Sequence, residues 1–237
     1  MFGIKARLKS YINTVVAESV SRLAVKPVYP VVNVLLGLQG YEQTLESRLP
    51  LAADGSPIPW YTYPAIEYFN QFDAKGLRVF EYGSGNSSLY WARKGADVWS
   101  VEHDPGWCET MGTRSAQLRD LLLRESCESY ASAISDVGGE FDVIVIDGAW
   151  RNECARAALP FLSPEGVFIL DNSDWYTDVS VFLKEKGFFQ VDFNGFGPIN
   201  NYCWTTSILF RLSSSLKSRF APPKPVGGIE VFRGEKW

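Results

Sequence analysis

The run Phe141-Asp142-Val143-Ile144-Val145-Ile146-Asp147 most narrows what this chain can become. Its apolar residues are continuous rather than alternating, the mark of a strand buried on both faces. Such a strand needs helices above and below it. The flanking sequence offers them in alternation: a strand over Leu77–Tyr82, a helix over Ser87–Lys94 and a strand over Asp97–Glu102. Residues 106–123 read as helical, as do Asn152–Phe161 and Val179–Lys186, with a strand at Gly166–Leu170 between the last two. This order predicts an α/β fold, a doubly wound and mostly parallel sheet. Phe188–Phe193 and Cys203–Arg211 flank the turn-rich segment Asn194–Asn201, which predicts a C-terminal antiparallel hairpin finishing the sheet. Ligands in such sheets bind outside the carboxyl ends of the strands.

A chain of 237 residues builds one sizeable core more readily than two. Ile4, Leu8, Ile12, Val15 and Leu23 recur near helical spacing, so an amphipathic helix is expected over much of 2–24, ended by Pro27 and Pro30. The loop Asp54–Pro59 follows, then a helix from Tyr63 with Pro64 in its first turn. We therefore expect an N-terminal helical extension (1–55), a main domain (56–212) and a C-terminal tail (213–237) with four serines and three prolines in its first part. The extension would serve as a substrate cover, an arm for a homo-oligomer or an anchor.

The net charge of −4 is unevenly spread. Lys5, Arg7, Lys9, Arg22 and Lys26 stand against Glu18 near the start, and six basic groups stand against Glu230 and Glu235 after residue 210. The body between them is acidic, which argues against a nucleic-acid partner. The basic ends are either solvated segments or a peripheral contact with an anionic membrane, the N-terminal helix leading. No apolar run is long enough to span a bilayer. The N-terminus lacks a signal peptide's pattern, and Cys108, Cys127, Cys154 and Cys203 have no paired spacing. The expected compartment is cytoplasmic, with membrane association as an addition.

The segment Glu81-Tyr82-Gly83-Ser84-Gly85-Asn86-Ser87 passes from strand through a glycine turn into a helix. Glycines there permit a tight turn and close approach of a ligand, and the helix start offers free N–H groups. A dinucleotide fingerprint would place a third glycine at position 88, which is serine here, and Glu81 would repel a pyrophosphate. Glu102 ends the next strand, where an acid accepts hydrogen bonds from ribose hydroxyls. An acid before the glycines and another after the second strand suit a ligand with a ribose and a positive charge.

On these residues, with Ile146-Asp147-Gly148 after the fourth strand, the chain resembles the class I S-adenosylmethionine-dependent methyltransferases, which are Rossmann-like. The resemblance covers roughly residues 58–210. It implies S-adenosylmethionine as cofactor, held by Glu81, Gly83, Ser84, Gly85, Ser87, Glu102, His103 and Asp147. The glycine loop would lie against the methionine part, Glu102 would hold the ribose, and residues near His103 would flank the adenine.

Asp147 and Asp171-Asn172 end adjacent strands, so their oxygens should converge. Catechol O-methyltransferase and its metal-dependent kin hold magnesium with an Asp and an Asp-Asn at these places. Asp147, Asp171 and Asn172 are thus a candidate magnesium set. Without a metal, Asp147 or Asp171 is a candidate general base. Arg151 is a candidate clamp for a substrate carboxylate or phosphate, or a surface arginine. Trp60 to Tyr63 and Trp175-Tyr176 would line an organic acceptor's pocket or serve as ordinary core, and Tyr202 and Trp204 lie on the late hairpin. Gly195–Asn201 is long enough to be a lid. The expected activity is methyl transfer to an oxygen of a small organic acceptor. The alternatives are an inactive methyltransferase-like scaffold and an NAD-type oxidoreductase.

Overall fold

The computed structural model of the protein describes residues 32–214 and 225–227. The helix expected over 2–24 and most of the 213–237 tail lie outside these residues, so the membrane contact expected of the N-terminal helix does too. No helix of the described residues is long and apolar enough to cross a membrane.

Seven strands form one sheet: β1 (Arg78–Tyr82), β2 (Asp97–Glu102), β3 (Asp120–Leu123), β4 (Phe141–Ile146), β5 (Leu162–Asp171), β6 (Phe189–Gly195) and β7 (Trp204–Phe210). Their order is β3-β2-β1-β4-β5-β7-β6, and β7 alone runs against the rest. The doubly wound, mostly parallel sheet expected from the sequence is present. The hairpin is refined in one respect: β7 inserts between β5 and β6 and leaves β6 at the edge. Burial explains the order. Trp204-Thr-Thr-Ser-Ile-Leu209 is buried throughout, whereas β6 is mostly exposed or half-buried, as an edge strand tolerates.

Helices cover both faces: α1 (Tyr41–Ser47), α2 (Tyr63–Asn70), α3 (Asn86–Arg93), α4 (Pro105–Gly112), α5 (Cys127–Val137), α6 (Arg151–Ala158) and α7 (Thr177–Glu185). Along β4, Ile144 and Ile146 pack toward α5, α6 and α7, while Val143 and Val145 pack toward α2 and α3. Two apolar layers thus share one sheet, which is why the run at 143–146 does not alternate.

The helix expected over 106–123 is corrected. It stops at Gly112, and Asp120–Leu123 form β3, paired in parallel with Trp99–Glu102. Leu121 to Leu123 favour helix locally, but the open edge of β2 recruits them through its hydrogen bonds, a tertiary override of propensity. Helix α5 was not expected. Its signals were in the sequence: Ser126 caps the Ser129 N–H at 3.2 Å, and Tyr130, Ala131 and Ile134 face the core at helical spacing.

Strand order reverses between β1 and β4, and there the loops leaving the two strands touch backbone to backbone. Gly83 sits at φ +93°, and a Cβ on it would come 2.9 Å from the Asp147 carbonyl oxygen. A Cβ on Gly148 would come 2.8 Å from the Gly83 nitrogen and overlap the Tyr130 hydroxyl. Gly148→Ala is expected to destabilise by about 2–4 kcal/mol, because the Gly83 backbone cannot step aside and the Tyr130 ring is completely buried. Urea unfolding of the variant against the parent measures it.

Candidate active site

A cavity of about 760 Å³ opens at the carboxyl ends of β1, β2, β4 and β5. Its walls gather the sequence-predicted residues Gly83, Ser84, Gly85, Ser87, Glu102, His103, Asp147, Arg151, Asp171 and Asn172. Glu81 lies beneath the glycine loop, completely buried.

Glu102 fixes the loop's shape. One oxygen accepts from the His103 and Asp104 N–H groups at 2.7 and 3.0 Å, and the other from Ser84 N at 3.2 Å. A carboxylate at the end of β2 thereby holds the turn that follows β1. His103 Nδ1 lies 2.9 Å from Glu102, and its ring packs edge-on to Trp150, centroids 5.6 Å apart. Gly85 is extended, and a Cβ there would meet nothing nearer than Ser87 Oγ at 3.8 Å. The loop backbone is therefore open to a ligand at that point. Glu81 accepts from Ser88 Oγ, but its Oε1 has no partner. Burial pushes the Glu81 carboxyl up to about 8, the Ser87 and Ser88 hydroxyls oppose the shift, and the charges of Asp147 and Glu102 add to it. A cationic ligand beside the loop would offset that uncompensated acid.

Arg151 joins the ends of β4 and β5. It is buried, with Nε on the Gly148 carbonyl at 3.0 Å, Nη1 on the Asp171 carbonyl and Nη2 on Asp147 Oδ1 at 3.0 Å. Its guanidinium stacks on Tyr176 at 4.3 Å. Asp171 Oδ1 accepts from Trp204 Nε1 at 3.0 Å and Thr206 Oγ1 at 2.5 Å. Burial raises the Asp147 carboxyl to about 6 against the pull of Arg151. Asp171 is raised well above the usual carboxylate range by burial and by the charge of Asp147. Oδ2 of each aspartate accepts from no donor among the described residues.

This arrangement corrects two expectations. Arg151 is not an open clamp for substrate, since it already serves Asp147 and two carbonyls. The set Asp147, Asp171 and Asn172 does not fit magnesium either. The Arg151 guanidinium, 3.0 Å from Asp147 Oδ1, would repel a dication on that carboxylate, and Asp171 already spends Oδ1 on Trp204 and Thr206. Asn172 sits at φ +50°, and its carbonyl accepts from Trp175 N at 2.8 Å. Among the described residues, no group of three or more His, Cys, Asp or Glu stands ready for a metal. The segment expected as a lid is pinned: Tyr63 N donates to the Phe196 carbonyl at 2.7 Å, and Tyr41 Oη to that of Asn200 at 3.1 Å.

Sequence reasoning missed three parts of the cavity. Trp107 donates Nε1 to the Ser84 carbonyl at 2.7 Å and closes over the loop. Asn86 donates to the Pro50 carbonyl at 2.6 Å and accepts from Arg114 at 2.7 Å. Through Asn86 the segment Arg48-Leu49-Pro50 becomes a wall of the site. Asn86 adjoined the glycine loop and was visible as a neighbour. Nothing in the sequence ties residues 48–50 to that loop.

The chain has a Rossmann-like fold, with its cavity at the carboxyl ends of the parallel strands. No family model and no curated protein matches the sequence. Solved structures of similar shape include a putative O-methyltransferase from Klebsiella pneumoniae, 16% identical, covering 84% of this chain and 96% of that chain, TM-score 0.49. The precorrin-6y C5,15-methyltransferase of Geobacter metallireducens is 17% identical over 62% of this chain and 88% of that chain, TM-score 0.47. The magnesium protoporphyrin IX methyltransferase of Synechocystis, with bound SAM, is 14% identical over 73% and 80%, TM-score 0.45.

A buried acid with a raised pKa makes stability fall as pH rises. The unfolded chain loses the Glu81 proton near its ordinary value of 4.5 and the folded chain near 8, so folding is progressively penalised between them. Glu81→Gln is expected to lose less thermal stability than the parent between pH 5 and 8.5, read as Tm at each pH.

Proposed function

We propose that the protein is an S-adenosylmethionine-dependent methyltransferase acting on a hydroxyl oxygen of a small organic acceptor. The observation that carries this reading is convergence. A glycine loop over an uncompensated buried acid and a carboxyl pair with unspent oxygens line one cavity, at the strand ends where this fold binds ligands. Bound S-adenosylmethionine would supply a methyl group on a sulfonium. Gly83, Ser84, Gly85 and Ser87 would hold its amino-acid end over Glu81, and Glu102 and His103 would hold its ribose and base. Orphaned Glu81 Oε1 and the open face of Gly85 support that fit.

The chain's own chemistry is proton removal. Methyl transfer to a hydroxyl leaves a proton on the oxygen, and a base must take it. Asp147 is the better base, because its carboxyl near 6 is ionised at neutral pH. Asp171, its carboxyl pushed up by burial and by the charge of Asp147, is aimed by Trp204 and Thr206. Arg151 is the positioning residue, holding Oδ1 of the cavity-lining Asp147 and leaving Oδ2 without a donor among the described residues.

Calorimetric titration with S-adenosylhomocysteine tests the cofactor. Micromolar binding is expected, lost in Glu102→Ala while the thermal melt stays cooperative. Tight binding of NAD instead would sink the reading. Asp147→Asn is expected to lower kcat about 10²- to 10⁴-fold. The parent's rate should rise with pH through about 6, as Asp147 deprotonates, and the variant should lack that limb. Full activity in Asp147→Asn would remove the base from this residue.

A further inference from the structure

We propose that the acceptor is a flat aromatic hydroxyl compound bearing a carboxylate, its ring on the wall formed by Trp175, Tyr202 and Trp204 and its acid on Arg48. The proposal rests on the methyltransferase reading above and names the acceptor class of that site.

The wall is a row of three rings. Trp175 and Tyr202 lie 6.2 Å apart between centroids at 33°, and Tyr202 and Trp204 6.0 Å apart at 62°. Trp175 is 58% and Tyr202 45% exposed, and both face the cavity. Large aromatic faces held open to water carry an unrealised burial energy, which a flat ligand would recover. At its buried end the row joins the chemistry, since Trp204 Nε1 donates to Asp171 Oδ1 at 3.0 Å. A ring lying on this wall brings its edge toward Asp171 and its neighbour Asp147, which would take a hydroxyl proton.

The charge of the cavity selects what else the ring carries. Glu102 is spent on three backbone N–H groups, and Asp104 caps α4 through the Trp107 N–H. Asp147 and Arg151 neutralise each other at 3.0 Å. Arg48 remains: it lines the cavity, and while its N–H donates to the Thr44 carbonyl at 2.8 Å, its guanidinium has no hydrogen-bond or ion-pair partner among the described residues. Its side chain is exposed, and its backbone is held in place. Its backbone adopts φ +59° where α1 ends, a conformation a side-chain-bearing residue takes at a cost. The segment is fastened on both sides, by Tyr41 Oη on the Asn200 carbonyl and by Asn86 on the Pro50 carbonyl. The first of these ties α1 to the loop that carries Tyr202, so Arg48 and the aromatic wall belong to one assembly. A guanidinium with no carboxylate partner on the cavity wall matches a ligand carboxylate, which its planar fork binds through two parallel bonds.

The test is calorimetry on full-length protein saturated with S-adenosylhomocysteine, using 4-hydroxycinnamate and its neutral amide as probes. The acid is expected to bind at least about tenfold more tightly than the amide, a difference of about 1.4 kcal/mol. Arg48→Gln should bring the acid down to the amide's level and leave the amide unchanged. Trp175→Ala should weaken both alike. Equal binding of acid and amide, or binding of neither by protein that takes up S-adenosylhomocysteine, overturns the proposal. So does an Arg48→Gln variant that loses S-adenosylhomocysteine but keeps 4-hydroxycinnamate, which would assign Arg48 to the cofactor's carboxylate. Folded parent protein that fails to bind S-adenosylhomocysteine sinks the methyltransferase reading itself, a result distinct from all of these.

Discussion

Gly83 and Gly148 meet with no side chain between them, and the rest of the site is arranged around that contact. It lets the loops after β1 and β4 lie against each other where strand order reverses. Two strand ends that would otherwise splay are brought into backbone contact, and a cavity forms beside them. A methyl group at either position would push the loops apart, and with them Glu81 and Asp147.

Polar bonds then hold the loops in one geometry. Glu102 reaches from β2 to the turn after β1, and Arg151 reaches from the start of α6 to the ends of β4 and β5. Each spans elements that the sheet brings side by side but does not itself lock. Both are buried ions whose attachments are nearly complete, which is the condition under which a buried charge is tolerated. Glu81 departs from that condition. Its carboxyl is buried, half-partnered and pushed toward neutrality, a local cost concentrated where a ligand would relieve it.

Legibility in the sequence followed the range of the interaction. The run at 143–146 and the alternation around it predicted the parallel core, because burial on both faces leaves a continuous apolar signature. The glycine turn was visible because tight turns need glycine at a particular φ. The leucines at 121–123 misled because their local preference is helical and only the edge of β2 makes them a strand. The order of β6 and β7 was readable in part: the polar alternation of Phe189–Gly195 is that of an edge, while Trp204–Phe210 has little that needs water. The candidate metal set failed for a different reason. Residue types at strand ends suggest oxygen ligands, but whether an arginine already occupies them is a matter of side-chain direction.

By itself the sequence determined the α/β class, the strand that anchors the sheet, the glycine loop and the acids at the strand ends. These are properties of periodicity, turn chemistry and the residue types at element boundaries, all encoded within a few residues of one another. Only the tertiary structure decided that Arg151 pairs with Asp147 instead of meeting a ligand. It also decided that Asn86 draws Pro50 to the loop, and that Arg48 lines the cavity with its guanidinium unpartnered among the described residues. Those outcomes depend on groups distant in sequence meeting in a low-dielectric interior, where each donor and acceptor is matched by position in space and not by position along the chain.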